Sequence, residues 1–420
     1  MNSTIVSKVP VNTRYLTSLL SFGCKGICAV AINYWLANSL RVDDFALWAT
    51  IFSLGMILSV GDFGVGQLVL TSIHENNLAE SGDNSLLTNS VAAMAILSTL
   101  ILLLTFLFLT FYHVPYDIKW IISIVLLILF RLIVIPYGAV LSAINRYHER
   151  KFIEAVNYAI CALFILLSIK LKADVFTMLL GMNFLLTLGS LAIGVRAARV
   201  GGLRFEIARI QYCNIKKIFS DSLPYFINNV SGLAIYGGFI FFSSLILNST
   251  EIAKLSLLHN LIFMHLYQVF ELIFRTSQTK LQDQSLMKKL KILVIISYLG
   301  CLISAALSGV LLFKFFFGKY EYTANELLIY TTFAFLEIYY LLLTSKMQMK
   351  STMRQRLQSM SLIKTLVFIG ILIFVSEIRA NPSLVLYSSF LVIYSLFMAY
   401  WAHTYAEEKG SINYLAAGAD

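Results

Sequence analysis

Charge is what this 420-residue chain has least of: Asp, Glu, Lys and Arg make up 13% of it, against 59% hydrophobic residues. No polar stretch runs beyond about two dozen residues, so a large soluble domain is excluded. Mean hydropathy is +0.79. A soluble protein of this length could not bury so much apolar side chain, which makes the class polytopic, all-α and membrane-embedded. Only five cysteines occur, Cys24, Cys28, Cys161, Cys213 and Cys301, with no zinc-like spacing, so neither a disulfide framework nor a metal site is indicated. No P-loop, HExxH or nucleophile elbow is present. No cofactor is expected, and the reading is of a protein that is not an enzyme. The formal net charge of +10 is carried largely by loops, and nucleic acid is not an expected partner.

What is present is a succession of apolar runs. Twelve are expected as transmembrane helices, near 14–38, 45–71, 86–112, 119–144, 152–171, 175–196, 219–247, 251–274, 290–313, 324–345, 359–378 and 384–404. Alternate loops differ in Lys and Arg content, and the richer set is cytoplasmic by the positive-inside rule. Both termini then lie in the cytoplasm, with the first fifteen residues leading into a retained signal-anchor. The longest inside loop, 197–218, falls at the midpoint of the chain. Two six-helix lobes, 1–208 and 209–420, are expected as parallel repeats. A faint internal echo agrees: LANSLRVDDFALWATIFSL and LILNSTEIAKLSLLHNLIF each join the first two spans of a half.

The few charges inside the spans carry the functional reading. Lys25 lies in mid-span, where insertion scales put a lysine at about 2.5–3.5 kcal/mol against membrane residence. Its helical neighbours Ser18, Ser21, Cys28 and Ala29 form a stripe of small residues suited to a cavity or a helix interface. A cavity role is expected for Lys25; the alternative is a structural ion pair, with Asp62 as partner. Arg131 is equally deep, has no charged residue within two turns on its own helix, and carries a fork that matches phosphate oxygens. Lys364, two turns past Arg356, is read as snorkelling to the inner interface, with a cavity cation as the alternative. Asp62, within SVGDFGVGQ, and Glu337, within TTFAFLEIYYLLL, are the candidates for gating or ion coupling. Pro136 and Pro224 are expected to kink their helices. Asn228 and Asn229, after Pro224, are expected on the bundle interior. The pair Asp43-Asp44 resembles the paired acids of lipid-linked glycosyltransferases, but capping of the second span is the simpler reading.

Three stretches together resemble a polysaccharide flippase of the O-antigen transporter type, in the multidrug/oligosaccharidyl-lipid/polysaccharide exporter superfamily. They are VDDFALWATIFSLG followed by GDFGVGQ, then IPYGAVLSAINRYHERKFIEAVNYAI, and SLPYFINNVSGLAIYGG at the opening of the second half. The resemblance implies two six-helix lobes around a central cavity that opens alternately inward and outward. It implies an undecaprenyl-diphosphate-linked oligosaccharide as substrate, flipped from the cytoplasmic to the periplasmic leaflet of a bacterial inner membrane. On that reading Lys25 and Arg131 meet the diphosphate, and Asn228 and Asn229 meet the glycan. Expected partners are membrane lipids, the polysaccharide polymerase and chain-length machinery, and a proton or sodium gradient. The alternatives are another exporter of the same superfamily, or a membrane-embedded O-antigen polymerase or lipid-linked glycosyltransferase.

Overall fold

The computed structural model describes residues 11–60, 63–76, 85–111, 118–144, 146–201, 205–232, 238–276, 284–348, 354–378 and 383–407. These are helical, with no strand among the described residues. The chain is a multi-pass membrane protein. Eight described helices are long and apolar enough to cross a bilayer, and each coincides with an expected span. Of the other four apolar runs, one has helices before and after Phe63 and Gly64, two contain π turns, over His259–Met264 and Ala305–Gly309, and one includes residues 233–237, which are outside the described residues. Asp62 and the loop 77–84 lie outside the described residues.

Contacts divide the chain into two compact units. The first comprises residues 1–40 and 50–233, the second 41–49 and 234–420. In the first unit the helices are α1 (Val11–Ser39), α2 (Val42–Val60), α3 (Val65–Asn76), α4 (Ser85–Phe111), α5 (Ile118–Ala143), α6 (Tyr147–Lys170), α7 (Val175–Gly201) and α8 (Tyr212–Gly232). The opening residues of α2 group with the second unit.

The first unit is built on α5, which packs against α3, α4 and α7, while α6 joins α1 to α7. Its core includes Val65, Val69, Met94, Leu129, Leu132 and Ile218, all apolar and buried. Between apolar helices in lipid, association relies on close packing and interhelical hydrogen bonds. Both are visible: Ser98 donates to the Leu129 carbonyl at 3.2 Å and Thr187 to the Leu127 carbonyl at 3.0 Å. Gly189 leaves the space that the Asn157 side chain fills, 2.2 Å from where a Cβ would sit. Asp174 caps α7, accepting from the Phe176 and Thr177 amides at 2.9 and 3.0 Å.

The second expected span, 45–71, is not one continuous helix. Phe63 (φ 50°) and Gly64 (φ 76°) take left-handed backbone and separate α2 from α3. A Cβ on Gly64 would lie 2.7 Å from the Ser222 carbonyl oxygen and 2.7 Å from Tyr225 Cβ of α8. Glycine therefore serves both the turn and the close approach. Phe63 stacks on Phe226 at 4.4 Å between centroids.

The second unit contains α9 (Phe239–Ser243), α10 (Ser249–Leu258), α11 (His265–Thr276), α12 (Gln284–Ser304), α13 (Val310–Phe316), α14 (Ala324–Gln348), α15 (Arg354–Ile378) and α16 (Leu384–Glu407). Here α14 is central, packed against α16, α12 and α11. A file of rings, Phe239, His259, Phe263 and Phe333, fills its core. Two residues of the second echo segment have structural uses: Asn248 caps α10, and Glu251 accepts the Leu384 amide at 3.0 Å, at the start of α16.

Candidate functional site

Lys25 sits on the face of α1 turned to α6. Ser21 is buried on that stripe, while Leu19, Leu20 and Ile27 on the rest of the helix are exposed, as a lipid-facing surface would be. Lys25 has a charged partner that the sequence reading did not find. Its Nζ donates to Glu154 Oε2 at 3.2 Å and lies over the Tyr158 ring at 4.8 Å. Glu154 also accepts from Arg150 Nε and Lys151 Nζ, both at 3.0 Å. Three cations converge on one carboxylate, leaving two positive charges unbalanced by it. The ion-pair alternative for Lys25 named Asp62, which lies outside the described residues. Glu154 comes to Lys25 because α1 packs along α6, which only the fold decides.

Arg131 lies nearby on α5. Its Nη2 donates to Asn183 Oδ1 at 3.0 Å, and its Nε is buried with no hydrogen-bond partner among the described residues. Both deep cations of the first half are in the first unit, Lys25 bonded to α6 and Arg131 to α7. Toward the start of α6 lies a second network, in which Glu149 accepts from Arg146 at 3.0 Å and from Arg196 at 2.8 Å.

The second unit handles embedded charge differently. Lys364 does not snorkel: it is 1% exposed, and its Nζ donates to Glu337 Oε2 at 2.5 Å. Glu337, 0% exposed, also accepts from Ser395 Oγ at 2.7 Å. The Tyr340 ring covers the ammonium at 3.7 Å, and Tyr394 donates to the Lys364 carbonyl at 3.0 Å. A second pair, Lys254 to Glu326 at 2.6 Å, is buried beside Tyr322. Burying an ion without a partner costs several kcal/mol, so a lysine on α15 facing α14 takes the available carboxylate in preference to reaching for water.

No family model matches the sequence, and no curated protein matches it either. Solved structures do. An inward-facing multidrug resistance MATE family transporter of the MOP superfamily aligns with a TM-score of 0.65 at 13% identity, over 92% of this chain and 96% of that one. The lipid II flippase MurJ in an inward closed conformation aligns with a TM-score of 0.61 at 11% identity, over 94% and 88%. A MOP superfamily transporter from Pyrococcus furiosus, for which reverse polarity of the binding pocket suggests a different function, aligns at 0.51 and 11% identity, over 93% and 94%. This chain shares its fold with these solved structures.

Within that fold, the residues singled out from sequence fall into separate groups. Lys25 and Arg131 both lie in the first unit, with different partners. Glu337 and Lys364 pair with each other in the second, although they had been assigned different roles. Asn228 and Asn229 lie on α8, but their side chains, like Asp62, are outside the described residues. Asp44 of the acidic pair binds Arg41 at 2.9 Å in the first turn of α2. Sequence reasoning missed Glu154, Arg150, Lys151 and Tyr158. All four lie in ERKFIEAVNYAI, within a stretch already quoted for the resemblance. The signal available was the spacing of Glu154 and Tyr158, one helical turn apart on the face that continues to Cys161.

Proposed function

We propose that the protein is a flippase for an anionic lipid-linked substrate. Specifically, it moves an undecaprenyl-diphosphate-linked oligosaccharide of the O-antigen type from the cytoplasmic to the periplasmic leaflet of a bacterial inner membrane by alternating access. The supporting observation is the cationic excess in the first unit: Lys25, Arg150 and Lys151 around Glu154, with Arg131 nearby. A diphosphate supplies several acceptor oxygens and more than one negative charge. It can satisfy an unfilled guanidinium N–H and ammonium donors better than one carboxylate does. The fold shared with the lipid II flippase MurJ agrees with a lipid-linked substrate.

In this reading Glu154 is a resident counter-anion. It keeps the cations paired while the site is empty and competes with the diphosphate for them, so that binding does not become a trap. Asn228 and Asn229 contact the glycan. Two six-helix lobes with twelve spans, divided near 208/209 and with both termini cytoplasmic, complete the proposal. Coupling to a proton or sodium gradient through Asp62 or Glu337, and delivery to a polymerase with its chain-length machinery, belong to it as well. A cation-exporting drug transporter is a poorer fit, because its substrate would meet a site of the same sign.

The test is to replace Lys25 and Arg131 singly by alanine in cells and follow surface polymer and lipid-linked intermediates. With normal insertion, both variants lose surface polysaccharide and hold single repeat units in the inner leaflet. Normal polymer in both would overturn the assignment. Single units that reach the periplasm unpolymerised would point to the polymerase instead.

A further inference from the structure

A short segment between α7 and α8 shows apolar side chains where a soluble surface would show polar ones. Phe205, Ile207, Ile210 and Tyr212 are all exposed, Ile207 to 74% and Tyr212 to 82%. The segment is a single 3₁₀ turn, Ile207–Arg209, and it is held in place from one side. Asn89 donates to the Arg209 carbonyl at 3.1 Å and accepts the Gln211 amide at 2.9 Å, and the Glu206 amide donates to Thr88 at 3.2 Å. Ile215 and Ile218, just beyond, are buried in the core of the unit. The apolar side chains are therefore presented by a fixed backbone.

Two membrane-crossing helices set its depth. The segment begins four residues past Gly201, where one candidate span ends, and it is bonded to Thr88 and Asn89 in the first turns of another that starts at Ser85. Both ends mark the same face of the bilayer, so the turn runs along the interface. Residues 199–217 carry five basic residues against one acid, and Arg199, Lys216 and Lys217 are exposed. Aromatic and aliphatic groups flanked by basic ones match the apolar and anionic layers of a lipid surface.

We propose that residues 205–212 are an interfacial anchor that binds the anionic lipid surface of the leaflet at the inner ends of α4 and α7. Phe205, Ile207, Ile210 and Tyr212 enter the acyl boundary, and Arg199, Lys216 and Lys217 contact the headgroups. The anchor holds the loop between the two halves of the chain on the membrane. It does not depend on what the protein transports.

Cys213, exposed beside Tyr212, provides the probe position. The full chain with Cys24, Cys28, Cys161 and Cys301 replaced by alanine is labelled at Cys213 with an environment-sensitive fluorophore and placed in nanodiscs. Lipids spin-labelled near the top of the acyl chain should quench it. That quenching should rise at least about twofold when phosphatidylglycerol replaces half of a zwitterionic lipid. Arg199→Gln, Lys216→Gln and Lys217→Gln together should remove the increment. Should the cysteine replacements prevent folding, Tyr212→Trp in the native background with brominated lipids reads the same depth. A probe quenched only by aqueous acrylamide, in both lipid compositions, overturns the proposal and leaves the face to a cytoplasmic protein partner.

Discussion

The two units carry embedded charge on opposite principles. In the second, each buried lysine has its own carboxylate: Lys364 with Glu337, and Lys254 with Glu326. The sums are neutral, and further donors and rings close the remaining valences. In the first, three cations share Glu154 and a fourth, Arg131, has only an amide oxygen. A balanced buried pair holds helices in one arrangement and offers little to a ligand. An unbalanced and partly open cluster keeps its capacity for an anion. On the function proposed above, the anion is bound in the first unit, and the contrast between the units can be broken at several points.

The largest effect is expected at the balanced pair. Glu337→Ala or Lys364→Ala leaves a buried charge alone and should cost about 3–5 kcal/mol. The double replacement Glu337→Gln with Lys364→Met should recover most of the loss. Thermal unfolding in detergent would check this; a double variant as unstable as the singles would show that the pair contributes more than compensation.

At the unbalanced cluster the outcome should reverse. Lys25→Ala leaves Glu154 with Arg150 and Lys151, so unfolding should change little. Initial flipping rates in proteoliposomes should nonetheless fall about ten- to hundredfold, the equivalent of losing one charge-assisted contact to the substrate. If Lys25→Ala destabilises as much as Lys364→Ala and transports normally once folded, the comparison between the units fails.

Gly64→Ala tests the backbone break in the first unit. A Cβ there meets both positive φ and the Ser222 carbonyl at 2.7 Å, so a loss of about 1–3 kcal/mol is expected. Gly300→Ala, where a Cβ meets nothing within 4 Å, is the control and should be close to neutral.

The smallest effect belongs to the cap of α7. Asp174→Ala should cost about 1 kcal/mol. The Thr177 hydroxyl and amide hold the Asp174 carboxyl below the usual aspartate range. A depressed value means the cap contributes fully above the unfolded pKa and is lost as pH falls through the folded one. The wild type and Asp174→Ala should therefore converge in stability under strongly acid conditions, which a pH series of melting curves would reveal.

Much of the architecture was legible in the sequence because a bilayer imposes a simple rule: apolar runs of sufficient length must be helices that close their own hydrogen bonds. That rule located α1, α4 to α7 and α14 to α16, and it flagged Lys25 and Arg131 as costly where they stand. It did not show the break at Phe63 and Gly64, since hydropathy does not register a positive φ. Nor did it distinguish Lys364 from a snorkelling lysine, because distance along a helix to an interface says nothing of a carboxylate on the neighbouring helix.

The sequence by itself therefore determined that this is a multi-pass helical protein with a few embedded charges that need a reason. Only the tertiary structure decided which of those charges cancel. Pairing depends on which helix faces are brought together: Lys25 and Glu154 are 129 residues apart, and Lys364 and Glu337 are 27 apart. Coulomb energy in a low-dielectric interior depends on ångströms in space and is indifferent to separation along the chain.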